Sequence, residues 1–291
     1  MNYLLYLKER FPPQQFLLLS GLLAAVTGAC LQAPVHGRLA SWPAVAAAGL
    51  ALLFFLFRLR LFDELKDYAH DSKYYPDRPL HRGLVTVGGI RRLIALTLAA
   101  ELFVAARAGL VPFAFFAASL SYSLLMFKEF FAPEWLRGRF TLYILTHELL
   151  AVPLFFYAAA LQGPRPGLLS DPLVWAVALF LGFQLFFLEI ARKMRPPELE
   201  NEARDTYTAQ YGVRGASALL AAAGAAALAL GWYACGGGAA YAAALPPFAW
   251  FLRSIASFAR APSPASSKAV FNSAVAYFTL LSGAAVWAAL S

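Results

Sequence analysis

Runs of about twenty apolar residues, each cut off by charged residues, proline or glycine, recur from one end of the chain to the other. At about 1.5 Å per residue, such a run makes a helix long enough to cross a hydrocarbon layer of about 30 Å. Nine can be marked, at about 15–34, 43–61, 90–109, 110–128, 141–162, 172–191, 213–234, 236–252 and 269–290. The cuts after 109 and after 234 are narrow, and Gly109 and Gly236-Gly237-Gly238 supply the tight turns they require. Nothing between the runs is long enough for a soluble domain, so residues 1–291 read as a single all-α transmembrane domain of about nine helices.

Basic residues give the orientation, because positive charge collects in cytoplasmic loops. With the amino terminus inside, every lysine and arginine except Arg38, Arg107 and Arg165 falls in an inner segment, which predicts an N-in, C-out topology. Composition agrees: 60% of residues are hydrophobic, 14% are charged and mean hydropathy is +0.61. That excludes nucleic-acid-binding modules, disordered chains and secreted disulfide scaffolds, and it turns the net charge of +8 into a statement about topology in a lipid bilayer. Residues 16–29 read as a retained first span, since Lys8-Glu9-Arg10 is a mixed leader and Thr27-Gly28-Ala29-Cys30 a poor cleavage site. Cys30 and Cys235 both fall near outer ends of spans and read as free apolar side chains; two cysteines alone do not establish a disulfide.

Two inner loops carry acidic as well as basic residues. The first, 61–83, reads LFDELKDYAHDSKYYPDRPLHRG. If the second span continues as a helix to about Tyr74, Asp63, Asp67 and Asp71 stand at i, i+4 and i+8, about 6 Å apart along one face. Stacked carboxylates repel one another, so something cationic belongs there. Lys66 and Arg78 supply part of that charge, and Mg²⁺ takes such oxygens when a substrate phosphate completes its shell. The second loop, 189–207, reads EIARKMRPPELENEARDTY. Here Pro196-Pro197 is expected to end one helix and restart another, which puts Glu198, Glu202 and Asp205 on one face behind Arg192, Lys193 and Arg195. Each loop alone could be a solvated juxtamembrane helix; two on the same side of the membrane point to a site.

Ionisable groups at membrane depth are costly and face a partner or a cavity. Lys128 ends the fourth run, with Tyr122 and Ser123 above it; His147 and Glu148 lie in the fifth and Glu101 in the third. Lys128 reads as an anion ligand, Glu101 as a structural polar contact, and His147 as either a helix-to-helix hydrogen bond or a substrate contact.

The first loop resembles the signature of the UbiA-type intramembrane prenyltransferases, which runs Asn-Asp-x-x-Asp-x-x-x-Asp, then Arg-Pro-Leu and a Gly. The matching positions are Asp63, Glu64, Asp67 and Asp71, then Arg78-Pro79-Leu80 and Gly83, with Asp-Glu in place of the opening Asn-Asp. The second motif departs further. The family's acidic pair before a Thr and a later Gly, here Thr206 and Gly212, would fall on Arg195 and Leu199, and the acidic pair present is Glu198 and Glu202.

The resemblance implies a helical bundle around a central cavity, with Mg²⁺ held by Asp63, Glu64, Asp67, Asp71, Glu198, Glu202 and Asp205. Arg78, Tyr122, Lys128, Arg192 and Lys193 would bind the diphosphate of an isoprenyl diphosphate, and His147 or Glu148 would contact an acceptor or the cation. The family's reaction ionises the allylic C–O bond and passes the prenyl group to a small aromatic or lipid acceptor, on the cytoplasmic side of a bacterial or archaeal plasma membrane. An acceptor-free terpene cyclase is the alternative within the superfamily, and a transporter or scaffold is a third reading.

Overall fold

The computed structural model describes residues 2–36, 41–165 and 167–291; Arg38, expected outside, lies outside the described residues, as does the side chain of Arg137. The described chain is all-helical, 81% helix without strands. It divides into two compact units, one of Met1–Ala24 with Ser41–Pro164 and one of Ala25–Ala40 with Arg165–Ser291.

The first unit holds α1 (Tyr3–Arg10), the first half of α2 (Pro13–His36), α3 (Trp42–Lys66), α4 (Tyr68–Tyr74), α5 (Val87–Ala108), α6 (Leu110–Phe127), α7 (Pro133–Arg137), α8 (Phe140–Glu148) and α9 (Ala151–Leu161). The second holds the rest of α2, with α10 (Pro172–Arg192), α11 (Tyr207–Ala234), α12 (Gly238–Ala242), α13 (Leu245–Arg260) and α14 (Pro264–Leu290).

Each of the nine apolar runs falls on helix, but not each on one helix. The fifth is interrupted between α8 and α9, where Pro153 has no N–H to donate and irregular bonds such as Leu150 N–H to His147 O replace the regular ladder. The eighth is displaced. Gly236, Gly237 and Gly238 take φ of +78°, +65° and +85°, a five-residue helix follows, and α13 begins only at Leu245 and runs to Arg260. Gly109, at φ +110°, makes the expected turn between α5 and α6.

Among the described residues, seven helical stretches are long and apolar enough to cross a membrane: α2, α3, α6, α8 with α9, α10, α11 and α14. The other two runs fall short for separate reasons. Helix α5 carries Arg91, Arg92, Glu101 and Arg107, and α13 has 16 residues, about 24 Å of helix. Large apolar side chains face outward throughout: Leu110 is 83% exposed and Phe103 68%. Such a surface is stable against lipid tails and unstable against water. The protein is an integral membrane protein.

The second unit is built around the small-residue face of α11, where Ala216, Leu220, Ala223, Gly224, Ala227 and Gly231 are buried. Small residues let neighbouring helices approach closely enough for tyrosines to reach its backbone. Tyr277 donates to Gly224 O at 3.0 Å and Tyr241 to Leu228 O at 2.9 Å. A Cβ on Gly231 would collide with Tyr241 Oη and meet Phe180 at 2.7 Å. Gly231→Ala is therefore expected to cost about 1–3 kcal/mol by overpacking. Thermal unfolding in detergent measures this, and an unchanged midpoint would show that the contact relaxes freely.

Candidate active site

Helix α1 and the first acidic loop form one assembly in the first unit. Tyr6, Leu61, Leu80, Val85 and Ile90 make a buried cluster. Asn2 N–H donates to Leu84 O at 2.9 Å, Arg82 pairs with Glu9 at 2.7 Å, and Arg10 pairs with Glu64 at 2.6 Å. Glu64 also accepts from Arg60 at 3.1 Å. Its carboxylate is thus buried between two guanidinium groups. The loop ends at Thr86, whose side chain accepts from Gly89 N–H and caps α5.

The three aspartates keep their helical register. Asp67 N–H donates to Asp63 O at 2.9 Å, Asp71 to Asp67 O at 2.8 Å and Tyr75 to Asp71 O at 2.8 Å. The helix is only bent at Asp67, where φ is −91° and ψ 9°. Asp63 and Asp67 are half-buried, and Asp71 is buried in an ion pair with Arg78. The Arg78 guanidinium also lies over the Tyr75 ring at 4.2 Å. Burial, opposed by the Lys66 ammonium and reinforced by Asp63 and Asp71, pushes the Asp67 carboxyl up to about 6.

Facing this row is a group of side chains that sequence reasoning only partly found. Lys66 Nζ donates to Tyr143 Oη at 3.4 Å. The Tyr143 ring stacks on His147 at 4.0 Å, His147 meets Phe130 edge-on at 6.1 Å, and Phe130 meets Tyr122 at 5.6 Å. Tyr122 Oη donates to Thr146 O at 2.8 Å. Because a carbonyl only accepts, the 2.7 Å contact from His147 Nδ1 to Tyr143 O puts the proton on Nδ1 and makes Nε2 the basic nitrogen of the neutral ring. Glu148 follows at the end of α8, half-buried. Lys128 caps α6, with its ammonium 5.6 Å from the centre of the Phe127 ring. After it, Glu129, Phe130 and Phe131 take φ of 46°, 51° and 58°, a left-handed turn without glycine. Such strain persists only where packing imposes it. The structure thus gathers Asp63, Lys66, Asp67, Asp71, Arg78, Tyr122 and His147 from the sequence reading and adds Tyr143 and Phe130. The spacing of Tyr143 and His147 by four residues was the legible clue; nothing local marks Phe130.

The second acidic loop departs from expectation. Residues 200–206 are not helical, and Glu198, Glu202 and Asp205 do not share a helix face. Pro197–Leu199 is a single 3-10 turn, Asn201 Oδ1 accepts from Ala203 N–H, and Arg204 takes φ 48°. Polar side chains have satisfied the backbone in place of a helix. The organised acid is Glu200, whose Oε1 accepts from Thr206 at 2.5 Å and Thr208 at 2.7 Å. Thr206 caps α11 through Ala209 N–H, as Thr86 caps α5, and Gly212 bends α11 at φ 70°. Glu198 and Glu202 are exposed, and Asp205 is half-buried. Arg192 and Lys193 both pair with Glu189, at 2.8 and 3.1 Å.

Among the described residues, no three His, Cys, Asp or Glu side chains converge as a ready-made metal cluster. Mg²⁺ does not require one, since it commonly binds through one or two carboxylates and completes its shell with phosphate and water. The acidic row, with one carboxyl held up to about 6, fits such an ion.

No protein-family profile and no curated protein sequence matches the chain. A solved structure does match, reported under the description "Structural and mechanistic insights into the biosynthesis of Digeranylgeranylglyceryl phosphate synthase in membranes". The match covers 95% of this chain and 98% of that one, with a TM-score of 0.60 and 13% identity. That protein is a UbiA-type intramembrane prenyltransferase. The present chain has its fold. Two acid-bearing loops, each ending in a threonine that caps the next helix, are therefore set within the fold of that membrane synthase.

Proposed function

We propose that the protein is a Mg²⁺-dependent intramembrane prenyltransferase that ionises an isoprenyl diphosphate and passes the prenyl group to an aromatic or lipid acceptor. The observation carrying this reading is the row Asp63, Asp67 and Asp71, kept in helical register and facing Lys66, Tyr143 and His147, in a fold of this class. Asp63 and Asp67 are the groups of the first unit that would hold Mg²⁺, and Glu198, Glu200 and Glu202 are the candidates in the second. When bound, the ion supplies positive charge to the departing diphosphate.

The remaining work falls to the chain's own side chains. Asp71 holds Arg78 in place by its ion pair. Arg78 and Lys66 offer donors to phosphate oxygens, and Lys128, Arg192 and Lys193 are further anion ligands. The pairs of Arg192 and Lys193 with Glu189 are partly exposed, with side-chain exposures of 56% and 31% for the two bases, so exchanging them for phosphate costs little. The faces of Tyr143, Phe130 and Tyr122 present negative quadrupole to an allylic cation. His147 Nε2 takes the proton of the acceptor. We also infer that α5 and α13 cross the membrane, giving nine crossings with the amino terminus and the acidic loops on the cytoplasmic side.

The test is diphosphate release by the purified protein in detergent, with isoprenyl diphosphates of several lengths. Release is expected only with both Mg²⁺ and an acceptor. Acceptor-free release with a cyclic product would establish a cyclase instead. Silence under every combination would remove the enzymatic reading.

A further inference from the structure

The chain has two cysteines, 205 positions apart, and the second unit brings them together. Cys30 lies on α2 with no exposed surface; Cys235 caps α11 through its N–H to Gly231 O and is 7% exposed. Their sulfurs are 2.9 Å apart. We propose that Cys30 and Cys235 are joined as a disulfide that fastens α2 to the outer end of α11.

Three observations favour a covalent pair over two inert thiols or a metal site. Two thiolates on one tetrahedral Zn²⁺, each about 2.3 Å from the metal, would stand about 3.8 Å apart. At 2.9 Å there is no room for an ion between the sulfurs. Cys235 also lies at the end of α11 remote from basic charge. Arg195, Arg204 and Arg214 precede or open that helix, and residues 215–252 contain no charged side chain. By the positive-inside rule, the cysteine end faces the outer, oxidising compartment, where disulfides form and persist. Finally, the site is closed. Tyr241 covers it from α12, donating to Leu228 O, and both thiols are buried, so a bond once formed is shielded from reductant.

Two S–H bonds break and one S–S bond forms. The two electrons and two protons pass to the disulfide of a thiol oxidoreductase of the outer compartment, which leaves as a dithiol. Because the pair is buried in the folded unit, the exchange takes place before α2 and α11 finish packing. The inference is independent of the proposed prenyl transfer.

The full chain is tested in membranes of the expressing cell, trapped with a small maleimide, denatured in SDS and then labelled with a polyethylene-glycol maleimide. Two mass additions are expected only when reductant precedes the second label. In Cys30→Ser, the remaining buried thiol of Cys235 is expected to take one polyethylene-glycol mass addition after denaturation, with no reductant needed. A Cys30→Ala/Cys235→Ala double variant controls for folding: reductant is expected to lower the unfolding temperature of the wild type and leave the double variant unmoved. Thiols that react fully without reduction, or a reducible band at twice the monomer mass, would overturn the proposal.

Discussion

Asp67→Asn is expected to lower diphosphate release at least about 100-fold, the scale on which removing one well-placed electrostatic group acts, while leaving the protein at least as stable as the wild type. The two outcomes together are the diagnostic. Asp67 sits half-buried between Asp63 and Asp71, and burial with those neighbours pushes its carboxyl up to about 6 against an ordinary value of 3.8. A carboxyl that holds its proton more tightly when folded favours the folded state while protonated. That contribution is complete below about pH 4 and disappears as pH rises through about 6. At pH 7.5 without metal, ionised Asp67 is therefore a liability, and a neutral amide of the same shape removes it. Unfolding midpoints without divalent cations are expected to fall between pH 5 and pH 7.5 in the wild type and to change less in Asp67→Asn. Added Mg²⁺ is expected to raise the wild-type midpoint at pH 7.5 and to do so less at pH 5, where the carboxyl is protonated. A variant with wild-type turnover would overturn the metal-binding role, and a variant that simply unfolds would show that Asp67 is structural.

The difference between the two acidic loops shows what sequence can and cannot convey. In the first, three aspartates at a spacing of four specify a helix face, and the backbone ladder from Asp63 to Tyr75 obeys it. In the second, the same arithmetic on Glu198, Glu202 and Asp205 assumed a helix; instead Pro197–Leu199 closes a single 3-10 turn, Asn201 Oδ1 accepts from Ala203 N–H and Thr206 caps the next helix. Glu200, off the assumed face, became the organised acid through two threonine hydroxyls that periodicity does not reveal. Apolar runs located the helices well, because length and hydropathy are local properties. They did not locate the break after Glu148 or the start of α13, which depend on where proline and glycine redirect the backbone. The pairing of Lys66 with Tyr143 was also beyond reach, since it joins α3 to α8 across 77 positions.

Arg58 shows the same limit and carries the second large effect. By charge counting it belonged to an inner loop, yet it is fully buried within α3, its Nε 2.5 Å from Glu101 Oε2 and its Nη1 3.1 Å from Ser123 Oγ. Rings of Phe55 and Phe62 flank the guanidinium at 4.4 and 5.1 Å. The contact thus joins α3, α5 and α6 and neutralises the acid buried in α5. Arg58→Met leaves Glu101 buried without its counter-charge, and Glu101→Leu strands Arg58. Each single change is expected to cost about 3–5 kcal/mol, read as loss of folded protein in detergent and a lower unfolding midpoint. The double variant Arg58→Met/Glu101→Leu is expected to regain most of that loss, because two apolar side chains of similar volume leave no charge stranded. Recovery would mean that the pair holds three helices in register by mutual neutralisation. If the double variant were as unstable as the sum of the two singles, the arginine would be acting through Ser123 and the aromatic rings, and Glu101 would be its bystander.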